Sequence, residues 1–549
     1  MIRREFLART LSVAVASLFA REVFAQHSMH GMQGMSGMND MDDMPGMSPS
    51  HGAGHGADTH AAHAAPGLAP DTALPAGAPL AALRKLANES SEAGVFRATL
   101  VAQPVRRQLM PGHSTSLWLY GDAAQGPIVG PLIDVREGDT VVIRFVNRLP
   151  QPSTIHWHGL PVPPDQDGNP MQPVAPGESR VYRFTLPLGS AGTYWYHPHP
   201  HMMSSEQVFR GLAGPIIVRA AGDPLAAFPE RHLFFSDLKL ASDASIAPND
   251  MMDWMNGREG QFVLVNGARR PRIDVAQDER WRLWNGCNAR YLGVSLGGKQ
   301  TFAQIGTDGG LLDKPRDGLT ELLLAPGERA EIIVRAGAQP STAILTAAAY
   351  DRRKMTMTEG KSLPGDPAKP LADVHFMPGA TASQAARVMP STLRPIAPLL
   401  PDNDSADKAP QKSVVFTEAM DMTAMHRPGA MMSALPPGMQ FLINGASFDP
   451  KRIALTSRRG EVEVWSIENR TDMDHPFHLH GTQFQVMSRQ QQGSSRTAEP
   501  YLAWRDTVNV QPGETVRIAT VQHDAGERMF HCHILEHEDL GMMATLKVV

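Results

Sequence analysis

An all-β chain made of three consecutive repeats is what this sequence predicts, and two recurring phrases predict it. The first begins Ile133-Asp134-Val135-Arg136-Glu137-Gly138-Asp139-Thr140, returns as Ile273-Asp274-Val275-Ala276-Gln277-Asp278-Glu279-Arg280, and appears again from Ile453 to Gly460-Glu461-Val462. The second is a Pro-Gly-Glu turn leading into an alternating run, at residues 176–178, 326–328 and 512–514. Alternating apolar and polar residues around Gly turns are the mark of half-buried strands. A length of 549 residues exceeds one ordinary core. With 48 Gly and 45 Pro the chain also suits an all-β protein rich in turns.

Taken in order, residues 1–25 read as a twin-arginine signal peptide. Arg3-Arg4 precedes an apolar run from Leu11 to Ala20 and a small-residue exit at Val23-Phe24-Ala25. That run falls short of the ~20 residues needed to span a bilayer. No later stretch is apolar enough to cross, so no stable membrane insertion is expected. The expected partner is the twin-arginine (Tat) export machinery, and the expected location is the periplasm. A net charge of -5 gives no sign of nucleic-acid binding.

Residues 26–85 read as a disordered tail rich in Met and His, with too few branched apolar residues to offset the entropy of ordering. Met29, Met32, Met35, Met38, Met41, Met44 and Met47 recur at every third position, flanked by His27, His30, His51, His55, His60 and His63. That period would align the thioethers along one side of a polyproline-like chain. Thioethers are soft ligands that favour Cu(I), so the tail is expected to collect copper and to be dispensable when copper is plentiful.

The repeats differ in what they carry. Asn147 and Asn469 close equivalent strands, and nine and eleven residues later come His156 and His158 in repeat one, His478 and His480 in repeat three. The same count from Asn285 in repeat two reaches Val294 and Leu296. A second pair, His197/His199 in repeat one and His531/His533 in repeat three, faces only apolar residues 346–349 in repeat two. Eight imidazoles from two repeats suit a cluster of three metal ions at their interface. His475 and His537 join Cys532 and Met542, ten residues after the sulfur, as a ligand set for a blue copper centre. The only other cysteine, Cys287, then has no disulfide partner and reads as a small buried hydrophobe.

With these residues in view, the chain from about residue 95 to its end strongly resembles the multicopper oxidases, and in particular the bacterial cuprous oxidase and laccase-like (copper-resistance) branch. The resemblance implies three consecutive cupredoxin-like Greek-key β-barrel domains at 86–225, 226–380 and 413–549, with 381–412 as a linker. The middle one would hold no copper. It also implies four copper ions per chain: type 1 copper on His475, Cys532, His537 and axial Met542; type 2 copper on His156 and His478; one type 3 copper on His158, His197 and His533; the other on His199, His480 and His531. Asp167 and Glu538 match the family's carboxylates near the cluster and are expected to serve as catalytic proton donors. Axial Met rather than Leu or Phe implies a lower potential, so high-potential substrates should be poor ones.

The reaction expected is one-electron oxidation of Cu(I), and incidentally of small phenols, coupled to four-electron reduction of O2 to water, in copper tolerance. Soft ligands recur at Met420, Met422, Met425-His426, Met431-Met432 and Met439, resembling the Met-rich insert of cuprous oxidases. Met422, Asp421, Met473 and Asp472 are the expected substrate Cu(I) ligands. Asp472-Met473-Asp474 departs from the family's usual order of acid and Met before that His. The alternatives are a laccase-like phenol oxidase and, in another class, a copper-sequestering protein without turnover, for which a complete O2-reducing ligand set would be unnecessary.

Overall fold

A computed structural model describes residues 67–121, 128–298, 300–356, 361–377, 388–425 and 435–549. The signal peptide, the methionine ladder, His426 and Met431-Met432 lie outside the described residues. Within them the chain is built from three pairs of β-sheets.

The first recurring phrase makes a corner rather than a hairpin. In repeat one Ile133–Arg136 pairs in parallel with Gly214–Arg219, while Thr140–Asn147, just beyond the turn, joins the other sheet beside Val95–Met110. Gly138 supplies the positive φ of 83° that this turn needs, and Asp139 accepts a bond from the Arg136 N–H. Repeat two uses the same corner, pairing Arg272–Val275 with Lys369–Phe376 and Glu279–Asn285 with Glu230–Leu238. Repeat three pairs Ile453–Ser457 with Met543–Val548 and Val462–Asn469 with Gln411–Met420. Each repeat closes its own apolar core between its two sheets.

The three closing asparagines do the same work. Asn147 donates to the carbonyls of Gln151 and Val174, Asn285 to Arg290 and Leu324, and Asn469 to Met473 and Val510. Each also accepts from the N–H two residues on. A buried amide satisfied in this way fixes the path of the following loop. In repeats one and three that loop leads to the imidazoles.

One expectation needs correction. The segment from Gly67 onward was expected to belong to a disordered tail, yet it runs as an extended strap over the first two barrels. Ala69 N–H donates to Leu240, Leu80 to Arg272 and Leu86 to Leu132, while Leu74 and Leu83 are buried. Sparse but well-spaced leucines, docked on open sheet edges, outweigh the low-complexity composition. Along its described part the linker at 381–412 packs on the barrels: the Leu393 N–H bonds the Asp313 carbonyl and the Leu399 N–H the Gln485 side chain. Strand Gln411–Met420 begins two residues before the expected boundary. As expected, Cys287 is buried and free.

Candidate metal centre

The strand His475–Leu479 lies between Thr507–Val510 and Gly526–Cys532, with Phe477 opposite Cys532 and His478 opposite His531. Alternation along these strands sends Cys532 to one side and its two neighbouring histidines to the other. On the cysteine side, His475 Nδ1 lies 3.2 Å from the sulfur, His537 Nδ1 lies 4.0 Å from it, and the two Nδ1 atoms are 3.3 Å apart. All three residues are fully buried. The far nitrogens are anchored: His475 Nε2 donates to Thr471 Oγ1 at 2.8 Å, and His537 Nε2 to the Met255 carbonyl at 3.1 Å. Both Nδ1 lone pairs are thereby turned toward the sulfur. Met542 is buried beside them, and its backbone bonds both Cys532 and His537.

Burial pushes the Cys532 thiol up and holds His475 down to about 3, with the nearby Arg352 charge adding to the latter. A protonated thiol facing two neutral imidazoles is the donor set a soft cation would complete. Ile534 N–H points at the sulfur from 3.4 Å, a contact that suits a thiolate.

On the other side of the strand pair, eight fully buried imidazoles converge. Donor atoms of His199, His480 and His531 lie within 4.8 Å of one another, as do those of His156, His158 and His197 and those of His156, His478 and His480. His156 Nε2 is 3.3 Å from His478 Nε2; His531 Nε2 is 3.2 Å from His199 Nε2 and 3.0 Å from His480 Nε2. The ring of His533 is 4.8 Å from that of His158 and 5.5 Å from that of His197. Nitrogens this close cannot all carry protons, and several face no partner at all: His158 Nδ1, His197 Nε2 and both nitrogens of His533. Burial, then the neighbouring imidazoles, hold His158, His199, His478 and His480 well below the ordinary histidine range. Unprotonated, inward-facing and otherwise unsatisfied, these atoms fit bound metal ions.

Carboxylates hold the outer edges. Asp167 spans the two repeats, 3.1 Å from His156 Nδ1 through one oxygen and 3.1 Å from His480 Nδ1 through the other. Glu538 lies 3.5 Å from His199 Nδ1 and 3.3 Å from His531 Nδ1. Its own burial, then the Asp539 charge, raises it well above the usual carboxylate range. Sequence reasoning missed a third carboxylate, Asp506, which lies 3.0 Å from His158 Nε2 and whose main-chain oxygen accepts from His478 Nδ1 at 2.8 Å. A lone Asp twenty-six residues beyond His480 gives no spacing signal.

Around the sulfur site the structure adds another element that was missed. Helix Met251–Asn256 of the middle repeat, started by an Asp250/Asp253 capping box, delivers the Met255 carbonyl to His537. Met251, Met252 and Trp254 pack against the third core, which also buries Met255, Met355, Met439, Met473 and Met542. Met473 is fully buried two residues before His475, whereas Asp472 is exposed. Asp421 is exposed and caps the turn Met422–Met425 through the N–H groups of Thr423 and Ala424. The Met422 side chain is outside the described set. Glu418, unnoticed in the sequence, is pushed up to about 7 by burial and by the charge of Asp472 beside it.

Two multicopper oxidase family models match, one over residues 105–223 and the other over residues 409–549. A multicopper oxidase of Staphylococcus aureus is 30% identical over 460 residues, covering 82% of this chain and 88% of that protein. A Bacillus subtilis laccase is 27% identical over 530 residues, covering 84% and 96%. Among solved structures, a Campylobacter jejuni multicopper oxidase described as a metallo-oxidase superposes with a TM-score of 0.79 at 40% identity, covering 88% of this chain and 98% of that one. The paired sheets of the three repeats are cupredoxin-like domains, and copper is the cofactor that the matched family implies. With a sulfur centre wired by one peptide strand to an imidazole cage, and relatives matched over nearly their whole length, the chain belongs to the multicopper oxidase family, oxidoreductases that use O2 as electron acceptor.

Proposed function

We propose that this chain is a periplasmic cuprous oxidase of copper tolerance, exported by the twin-arginine route and holding four copper ions. The set His475, Cys532, His537 and Met542 would hold type 1 copper. His156 and His478 would hold type 2; His158, His197 and His533 one type 3 ion; and His199, His480 and His531 the other. When bound, copper supplies one-electron transfer at the first site and four-electron reduction of O2 at the cluster. The chain itself provides continuity, because Cys532 sits between His531 and His533 in covalent sequence. Glu538, 3.3 Å from His531 Nδ1, would serve as proton donor on one side, and Asp167, between His156 and His480, on the other.

The observation that carries the choice of Cu(I) over bulky phenols is the burial of both sulfur-site imidazoles under a methionine-rich cover. His537 has its outer nitrogen engaged by Met255 and its ring stacked on Phe441 at 3.8 Å, so no imidazole edge faces a large donor. Thioethers from Met251, Met252 and Met473 suit passage of a small soft ion. The C. jejuni relative, described as a metallo-oxidase, supports the same reading. The laccase-like reading keeps one supporting observation, the likeness to laccases over most of their length.

The test is oxygen uptake by the copper-loaded protein given Cu(I) or a bulky phenol. Faster uptake with Cu(I) is expected. Faster uptake with the phenol would favour the laccase reading, and no uptake with either would favour sequestration.

A further inference from the structure

The middle repeat carries none of the imidazoles, yet one of its arginines reaches the cage. Arg329, fully buried, follows the second Pro-Gly-Glu turn. Its Nη1 donates to Asp506 Oδ1 at 2.7 Å and its Nη2 to Asp506 Oδ2, a two-pronged clasp. Its Nε donates to the Thr193 carbonyl at 2.9 Å, and its backbone N–H to Asp308 Oδ1 at 2.8 Å. One side chain thus joins a strand of the first repeat, a turn of the second and a loop of the third.

Asp506 passes the constraint to the imidazoles. A carboxylate only accepts, so the 3.0 Å contact from Oδ1 to His158 Nε2 places the His158 proton on Nε2. The lone pair is left on Nδ1, the nitrogen that is buried without a partner. The main-chain oxygen of Asp506 fixes His478 in the same sense through Nδ1. Asp506 is therefore the counterpart of Asp167: each spans one imidazole of the first repeat and one of the third. Two glycines make room. A Cβ at Gly159, at φ +84°, would run into Asp506 and Arg329, and one at Gly327, at φ +86°, would lie 3.0 Å from the His533 ring.

We infer that Arg329 and Asp506 are a positioning pair for the imidazole cage, in which the arginine of the ligand-free repeat fixes the carboxylate and the carboxylate turns Nδ1 of His158 toward the metal. The inference rests on the copper-cluster reading above. It assigns the middle repeat a part in metal binding that its lack of ligands conceals.

The test uses full-length, copper-loaded protein as wild type, Arg329→Lys, Arg329→Met, Asp506→Asn and, as control, Glu279→Gln, whose buried carboxylate pairs with Arg231 and Trp281 inside the middle repeat. Copper per chain after dialysis against a weak chelator, the visible thiolate absorption and the electron spin resonance of the type 2 copper are read together. Arg329→Lys and Asp506→Asn are expected to keep the thiolate absorption while affinity for cluster copper falls roughly 10–100-fold and the type 2 spectrum changes. Glu279→Gln is expected to lower the melting temperature with both spectra unchanged. Cluster copper held as tightly as in wild type with an unaltered spin spectrum would overturn the inference. So would parallel loss of thiolate absorption and cluster copper, the mark of general loosening. Should Arg329→Met fail to fold, Arg329→Lys and Asp506→Asn decide. A wild type without cluster copper would instead sink the copper-cluster reading, which tells the two failures apart.

Discussion

At the sulfur site and in the cage, burial acts on thiol and imidazole in opposite ways. The Cys532 thiol is pushed up and stays protonated across the neutral range, whereas His475 and His531 are held down to about 3 and are already neutral. Copper must displace a proton from the thiol but none from the imidazoles. Type 1 affinity is therefore expected to fall about tenfold per unit as pH drops from 8 to 5, while cluster copper is held almost unchanged. Competition with a chelator at several pH values measures both, and equal slopes would contradict the scheme. Glu538 offers a second check. Replacing its carboxyl in Glu538→Gln should leave four coppers in place and slow O2 reduction by roughly 10²–10⁴-fold, read as turnover per copper-loaded chain. Unchanged turnover would remove it as proton donor. The histidines were legible because two repeats presented them at matched counts from Asn147 and Asn469; Asp506 was not, because its role exists only through a contact 348 residues away.

Among the elements, the short cover of the sulfur site is the one proposed to choose the donor. Helix Met251–Asn256 spans six residues, too few to give a periodic signal in sequence, and its partner His537 is 282 residues distant. Its ends are nevertheless well determined, with Asp250 and Asp253 capping the start and Gly257, at φ 76°, closing it. A Cβ at Gly257 would strike Ala289 and Ile534, which fixes how closely the helix approaches the copper strand. Trp254→Ala should open this cover. Turnover of bulky phenols is then expected to rise against that of Cu(I), and a ratio that stays constant would show that the helix does not control access. The strap from Gly67 to Leu86 was illegible for a different reason: its composition resembles a linker, and only the open edges of the first two barrels give its leucines somewhere to dock.

Over the whole molecule, three similar barrels are held so that two of them can share one cluster. Thr193 of the first repeat donates to Glu331 of the second at 2.6 Å, and Arg282 bonds both, at 2.7 Å to Thr193 and 2.6 Å to Glu331. Removing one partner of such a buried charge network costs roughly 3–5 kcal/mol. This interface was invisible in the sequence because charged residues inside a strand read as its solvent face. The three-repeat architecture itself was legible, since the corner phrase and the closing asparagine recur with the same geometry. The methionine ladder is expected to act only in supply. Deleting residues 26–66 should leave turnover unchanged at saturating copper and slow metal loading when copper is scarce, measured as activity recovered per added equivalent. Repeats one and three are proposed to clasp three coppers while a sulfur-ligated fourth feeds them. Metal analysis of the purified, copper-loaded chain together with its visible spectrum tests this most directly. Four coppers per chain with an intense blue thiolate absorption is the result expected; one copper or fewer, or no blue absorption, would contradict it.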